Sequence, residues 1–266
     1  MNKLYFLVSL LPMFGCSNLE LTDQTNRNAS SVNVPIHIQT EHVTNQLSIL
    51  NQPVTKKGDI KKSSSTKKSA AMLNVGLIKQ NPELKYGCEV TSLAMVLNYA
   101  GVTTNKMELY KSIKKDSDPL IRSPRGDILR WGNPNHGFVG DMTGNRAGYA
   151  VFDQPMIHLI NKYLPNRAVN LTGQPFDKVL EHVSEGYPIV VWTTGDFRLP
   201  DRWESWNHGQ QLIKTPLDLH AVVLVGYDSQ YVYLNDPLSG RKQVRVSREQ
   251  FIASWKALNC RAVSYH

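Results

Sequence analysis

The chain has 266 residues, 41% of them hydrophobic, which is enough apolar material for a globular core. Its formal charge of +8 is unevenly spread: residues 56–68 carry six Lys against one Asp, whereas 69–266 carry 22 Lys and Arg against 18 Asp and Glu. A short Ser/Lys run of that kind is a solvated linker and not a basic face with stacking aromatics, so no nucleic-acid partner is expected.

In chain order, "MNK" is a short positive start, "LYFLVSLLPMF" an apolar stretch too short to span a bilayer, and "GCSN" follows. This pattern describes a secretory signal over 1–16. Met13-Phe14-Gly15-Cys16 resembles a bacterial lipobox, which implies lipidation at Cys16, an exported protein and attachment to the membrane at the cell surface. The alternative is an ordinary signal peptide with an incidental cysteine. Residues 17–70 are polar and aperiodic and are expected to form a flexible tether, either a spacer or an inhibitory segment, with one brief strand at 31–39.

The folded domain is expected over 71–266. An extended approach segment covers 72–80, and Asn81-Pro82 marks a turn. Val90, Leu93, Ala94, Leu97 and Ala100 recur with helical spacing from Cys88 onward, and Gly101 sits where a helix should end. A short helix is predicted over 105–114, a long irregular loop over 116–150, and helices over 152–164 and 175–186. "YPIVVWTT" (187–194) reads as a buried strand, and 195–218 as a polar loop carrying Trp203, Trp206 and His208. "LHAVVLVGYD" (219–228) and "YVYLND" (231–236) form a hairpin about a turn at 228–230; a strand over 241–247 and a helix over 248–258 close the chain. Helices followed by a mostly antiparallel sheet make the class α+β.

Cys88 opens its helix, where unpaired N–H groups and the helix dipole stabilise a thiolate. From position alone it reads equally as a nucleophile or as a small buried hydrophobe. Gly87 before it would let a substrate backbone approach. His220, at the mouth of an apolar strand, is either a base or a capped core histidine. It lies nine residues before the hairpin centre and Asp236 seven after, so an antiparallel register sets the two opposite or diagonal. A carboxylate there would hold an imidazole in one tautomer, with Asn235 facing the other side. Nucleophile, base and orienter in this order favour the catalytic reading. Glu89 is assigned to dipole stabilisation. The histidines show no metal-ligand spacing, and no phosphate-binding loop occurs, so neither metal nor cofactor is expected.

"QNPELKYGCEVTSLAMVLNYAG", "GNPNHGFVGD", "LHAVVLVGYD", "YVYLNDPLSG" and "FIASWKAL" resemble the C39-like cysteine peptidases, a papain-fold group, over residues 75 to 266. The resemblance implies a helix carrying Cys packed on a sheet carrying His and Asp. It implies Cys88 as nucleophile, His220 as general base then acid, Asp236 as orienter and Gln80 as an oxyanion donor. "GFVGD" recurs in that family, so Asp141 is expected to shape the cleft rim. Trp203 and Trp206 are assigned either to a substrate wall or to the core. The expected protein is a monomeric thiol-dependent peptidase acting on a peptide. The alternatives are a cell-wall amidase or endopeptidase, and a non-catalytic peptide-binding lipoprotein.

Overall fold

The computed structural model describes residues 68–266. The expected signal segment with Cys16, the strand at 31–39 and all but the last three residues of the expected tether lie outside the described residues.

In chain order the elements are β1 (Ala71–Met72), α1 (Cys88–Tyr99), α2 (Lys106–Ser112), β2 (Lys115–Asp116), β3 (Ile121–Arg122), β4 (Ile128–Arg130), β5 (Phe138–Val139), α3 (Asp153–Tyr163), β6 (Ala168–Asn170), α4 (Phe176–Ser184), β7 (Ile189–Thr194), β8 (Trp203–His208), β9 (Gln211–Pro216), β10 (Leu219–Tyr227), β11 (Tyr231–Asp236), β12 (Arg241–Ser247), α5 (Arg248–Ala257) and β13 (Ala262–Tyr265). The main sheet runs β12-β11-β10-β7-β13-β6, with β1 added at the end of β10, and all its pairings are antiparallel. This is the α+β arrangement expected from the sequence.

Successive strand residues point to opposite faces, and β10 uses both faces. Ala221, Val223 and Val225 pack into one core with the residues of α1, and Val222 and Leu224 into a second core with residues of α4 and α5. Strand β7 divides likewise, Val190 and Trp192 against Ile189 and Val191. Burial on both faces explains why these strands read as near-continuous apolar runs. Helix α1 is buried from Cys88 through Leu97. A helix enclosed all round has no polar stripe, so every side chain in that span must be accommodated in the interior. Gly101, at φ +85°, follows its last turn as predicted.

Two expected loops carry strands instead. The 116–150 segment contains β3, β4 and β5, and 195–218 folds into the β8–β9 hairpin, which joins β3 and β4 in a four-stranded sheet. That sheet buries few side chains on its hairpin: Trp206, Ile213, Thr215 and Pro216. With so few buried positions the apolar alternation that marks a strand is nearly lost.

Candidate active site

The β10–β11 hairpin determines which residue faces Asp236. Val223 pairs with Asn235 and Leu224 with Leu234, while Gly226 pairs with Tyr233 and Tyr227 with Val232. The register therefore shifts by one at Val225, a β-bulge. Continued past the bulge, this register sets Asp236 opposite Val222 and diagonal to His220. Without the bulge, Asp236 would share a face with Ala221 and Val223, and His220 would point the other way. In the folded chain His220 Nε2 lies 2.7 Å from Asp236 Oδ1, with both side chains buried. Asn235 is committed elsewhere: its Nδ2 donates to the Val75 carbonyl and its Oδ1 accepts from the Gln243 amide.

Asp236 also accepts hydrogen bonds from the Leu238 amide at Oδ1 and the Ser239 hydroxyl at Oδ2. Burial works against its charge, but the bonds from His220, Ser239 and Leu238 outweigh it and bring its pKa down to about 2. The carboxylate is therefore ionised at neutral pH. With Nε2 held by Asp236, Nδ1 is the imidazole nitrogen left for chemistry.

Cys88 is the first residue of α1, and Gly87 is its N-cap. A Cβ on Gly87 would sit 2.5 Å from the Leu84 Cβ. The glycine is thus required by the chain's own tight turn. The second turn of α1 rests on β10 beside His220: Ser92 Oγ donates to the Ala221 carbonyl at 3.2 Å.

The thiol itself differs from expectation. Cys88 Sγ donates to Glu89 Oε2 at 3.3 Å, and among the described residues no hydrogen bond joins it to His220. Burial first, and then the Glu89 charge, push the Cys88 thiol well above its ordinary value, while the Ala221 backbone amide works in the opposite direction. The helix N-terminus does not produce a low-pKa thiol here. Glu89 is fully buried, with Oε1 accepting from the Val151 amide at 3.0 Å. Burial raises its carboxyl to about 7, against the opposing pull of its hydrogen bonds. Dipole stabilisation does not describe this residue. The available signal was the "VTSLAMVL" that follows it, without a charged residue, which leaves an acid in the first turn no solvent face.

Gln80 is buried between the two halves of the site. Its amide nitrogen donates to the Pro237 carbonyl, next to Asp236, and its Nε2 donates to the Lys85 carbonyl, three residues before Cys88. Its Oε1 is buried without a partner. One N–H of the side-chain amide remains beyond the bond to Lys85.

Asp141 accepts from the Thr143 amide and hydroxyl and from the Arg146 amide. Its carboxylate organises its own loop and lines a cavity with Trp131 and Arg146. The two tryptophans separate. Trp206 is a core residue, packed on Trp131 and Tyr149 and donating from Nε1 to the Gly132 carbonyl. Trp203 is 47% exposed and borders a different cavity, on the β9–α5 side. A cleft is lined by Tyr86, Gly148, Tyr149, Glu204, Leu217 and Leu219; in the chain Tyr86 is two residues from Cys88 and Leu219 adjoins His220. The thiols of Cys88 and Cys260 are both free. No helix among the described residues is long and apolar enough to cross a membrane. Away from this site Asp116, His136 and His208 converge, a grouping that their sequence spacing did not disclose.

Residues 72–263 match the family model described as Peptidase_C39 like family. The uncharacterized protein YvpB of Bacillus subtilis (strain 168) is 39% identical over 199 residues, covering 74% of this chain and 76% of YvpB. A crystal structure from Bacillus anthracis, named for the C39-like peptidases, superposes with a TM-score of 0.68 at 40% identity, covering 75% of this chain and 98% of that one.

Proposed function

The chain belongs to the C39-like peptidase family and has its papain-like fold, and from that premise we propose that it is a cysteine peptidase acting through Cys88, His220 and Asp236. The observation that carries the proposal is the 2.7 Å contact of His220 Nε2 with an ionised, buried Asp236, His220 standing on the strand against which α1 is seated.

The thiol rests protonated on Glu89. To react it exchanges Glu89 for His220, whose Nδ1 takes the proton as sulfur attacks the substrate carbonyl carbon. The developing oxyanion is held by the Cys88 backbone amide and the remaining N–H of Gln80. The C–N bond breaks, His220 returns its proton to the departing amine, and an acyl thioester stays on Cys88. Water then gives a proton to His220, adds to the thioester and releases the acid, and sulfur recovers its proton. Asp236 keeps Nε2 protonated and offsets the imidazolium charge throughout. Peptide substrates enter by the cleft between Tyr86 and Leu219.

Cleavage of a peptide library by the wild-type protein, set against Cys88→Ala and His220→Ala, tests this reading. The expected result is cleavage by the wild type alone; equal cleavage by the variants would overturn it. The 1–16 segment supports export and lipid anchoring at Cys16, and loss of fatty-acid labelling in Cys16→Ala is the corresponding expectation.

A further inference from the structure

Asp116 at the end of β2, His136 in the turn before β5 and His208 at the tip of β8 come together from three separate segments. His208 Nε2 lies 3.2 Å and His136 Nδ1 3.8 Å from the same atom, Asp116 Oδ2, and the three donors are all within 4.8 Å of one another. Zinc takes nitrogen and oxygen donors at about 2.0–2.1 Å, so tetrahedral donors stand roughly 3.3 Å apart. The two edges through Asp116 bracket that spacing. The third, between the two imidazoles, is no longer than 4.8 Å, and the 53% exposure of the His136 side chain leaves room for it to close. The two imidazoles already stand edge to face, their planes at 79°.

The carboxylate is held in place for this. Asp116 Oδ1 accepts from the Asp118 amide, which leaves Oδ2 for the histidines. Gly137 allows the close approach, because a Cβ there would lie 2.6 Å from the Asp116 nitrogen. Asp118, paired with Arg130, stands 3.5 Å from His208 Nε2 and adds negative charge behind the histidine. Orientation of ligands by their own hydrogen bonds is a regular feature of metal sites.

We propose that Asp116, His136 and His208 form a binding site for a divalent transition cation, of which zinc is the expected occupant. Two imidazoles with one carboxylate suit such an ion better than magnesium or calcium, which favour all-oxygen shells. The fourth position is left to water. Binding ties the β8–β9 hairpin to the β2–β5 segment, beside the cavity that Asp116, Asp118 and Trp131 line. The site is independent of the peptidase reading.

The test is titration of Zn2+ into the full chain carrying Cys16→Ala, Cys88→Ala and Cys260→Ala, which removes the competing thiols. It is followed by calorimetry and by the visible spectrum of the Co2+ form. The expected result is one equivalent bound in the low-micromolar range or tighter, a tetrahedral Co2+ spectrum and a raised unfolding temperature. His136→Ala and His208→Ala should each weaken binding at least tenfold, and the exposed position of His136 makes its variant safe for folding. No saturable uptake, or uptake unchanged in both histidine variants, would overturn the proposal and leave the cluster as an ion-pair group.

Discussion

Cys88 Sγ and Glu89 Oε2 are 3.3 Å apart, and the carboxyl that receives the thiol hydrogen has no exposed surface. A negative charge beside a thiol disfavours the thiolate, and burial disfavours it further. Glu89→Gln keeps the side-chain shape, retains an acceptor for the Val151 amide and supplies a donor to sulfur. The variant is expected to alkylate at Cys88 with iodoacetamide about tenfold faster near pH 7, equivalent to a thiol pKa roughly one unit lower. An unchanged rate would show that the Glu89 charge does not reach the thiol.

The same carboxyl couples stability to pH. Its ordinary value of 4.5 rises to about 7 on folding, so between those values the folded protein holds a proton that the unfolded chain has lost. Stability therefore falls as pH rises through this window and is fullest below about 4.5. Relative to Glu89→Gln, which does not titrate, the wild-type protein should lose roughly 3 kcal/mol between pH 4.5 and 8. Urea unfolding of both proteins across that range measures the difference.

Asp236 and Gln80 should separate kinetically. Asp236→Ala removes the partner of His220 Nε2 and is expected to lower kcat/KM by about 10² to 10⁴. Gln80→Ala removes the proposed oxyanion donor together with its bond to the Lys85 carbonyl, and kcat should fall by about 10² to 10³ with KM changed less. Steady-state kinetics on one cleaved peptide reads both effects.

Trp203 and Trp206 are three residues apart on β8, yet the structure assigns them opposite roles. Trp206, 1% exposed among Trp131 and Tyr149, should cost about 3–5 kcal/mol when changed to Ala. Trp203→Ala should stay within about 0.5 kcal/mol, as exposed substitutions do. Chemical denaturation of the two variants provides the comparison.

Arg261 and Asp153 form a buried pair across 2.5 Å, and the guanidinium also lies 3.8 Å from the Phe152 ring centroid. Arg261→Met strands the Asp153 carboxylate with Asn170 Nδ2 as a remaining donor and should cost about 3–5 kcal/mol. The double variant Asp153→Asn, Arg261→Met should recover part of that loss, because no buried charge is left unpaired. Thermal unfolding of the single and double variants checks the order.

The elements legible in the sequence are those with many buried residues in a regular period. Helix α1, the helices over 153–163 and 176–184, and strands β7, β10, β11 and β12 all appear near their expected positions. Strands β6 and β13 were not anticipated; they have three and four residues, too few for a period to register. The hairpin β8–β9 was missed because its burial comes from a few residues meeting Trp131 and Tyr149, both distant in the chain. The Asp116, His136 and His208 group was missed for a related reason. Its members are separated by 20 and 72 residues, and only the close approach of β2, β5 and the hairpin tip unites them.

The sequence by itself determined that a cysteine opens a helix, that a histidine and an aspartate flank one hairpin, and that the surrounding motifs are those of one family. Short-range periodicity and turn chemistry suffice for the first two, because each depends on neighbours a few residues away, and the third rests on the resemblance of the motifs. Only the tertiary structure decided the face on which Asp236 emerges, since the bulge at Val225 shifts the register by one and so aligns it with His220. Only packing decided the state of Cys88: enclosure of α1 on all sides buries Glu89 against the thiol, and the cost of a charge in that interior outweighs the helix dipole.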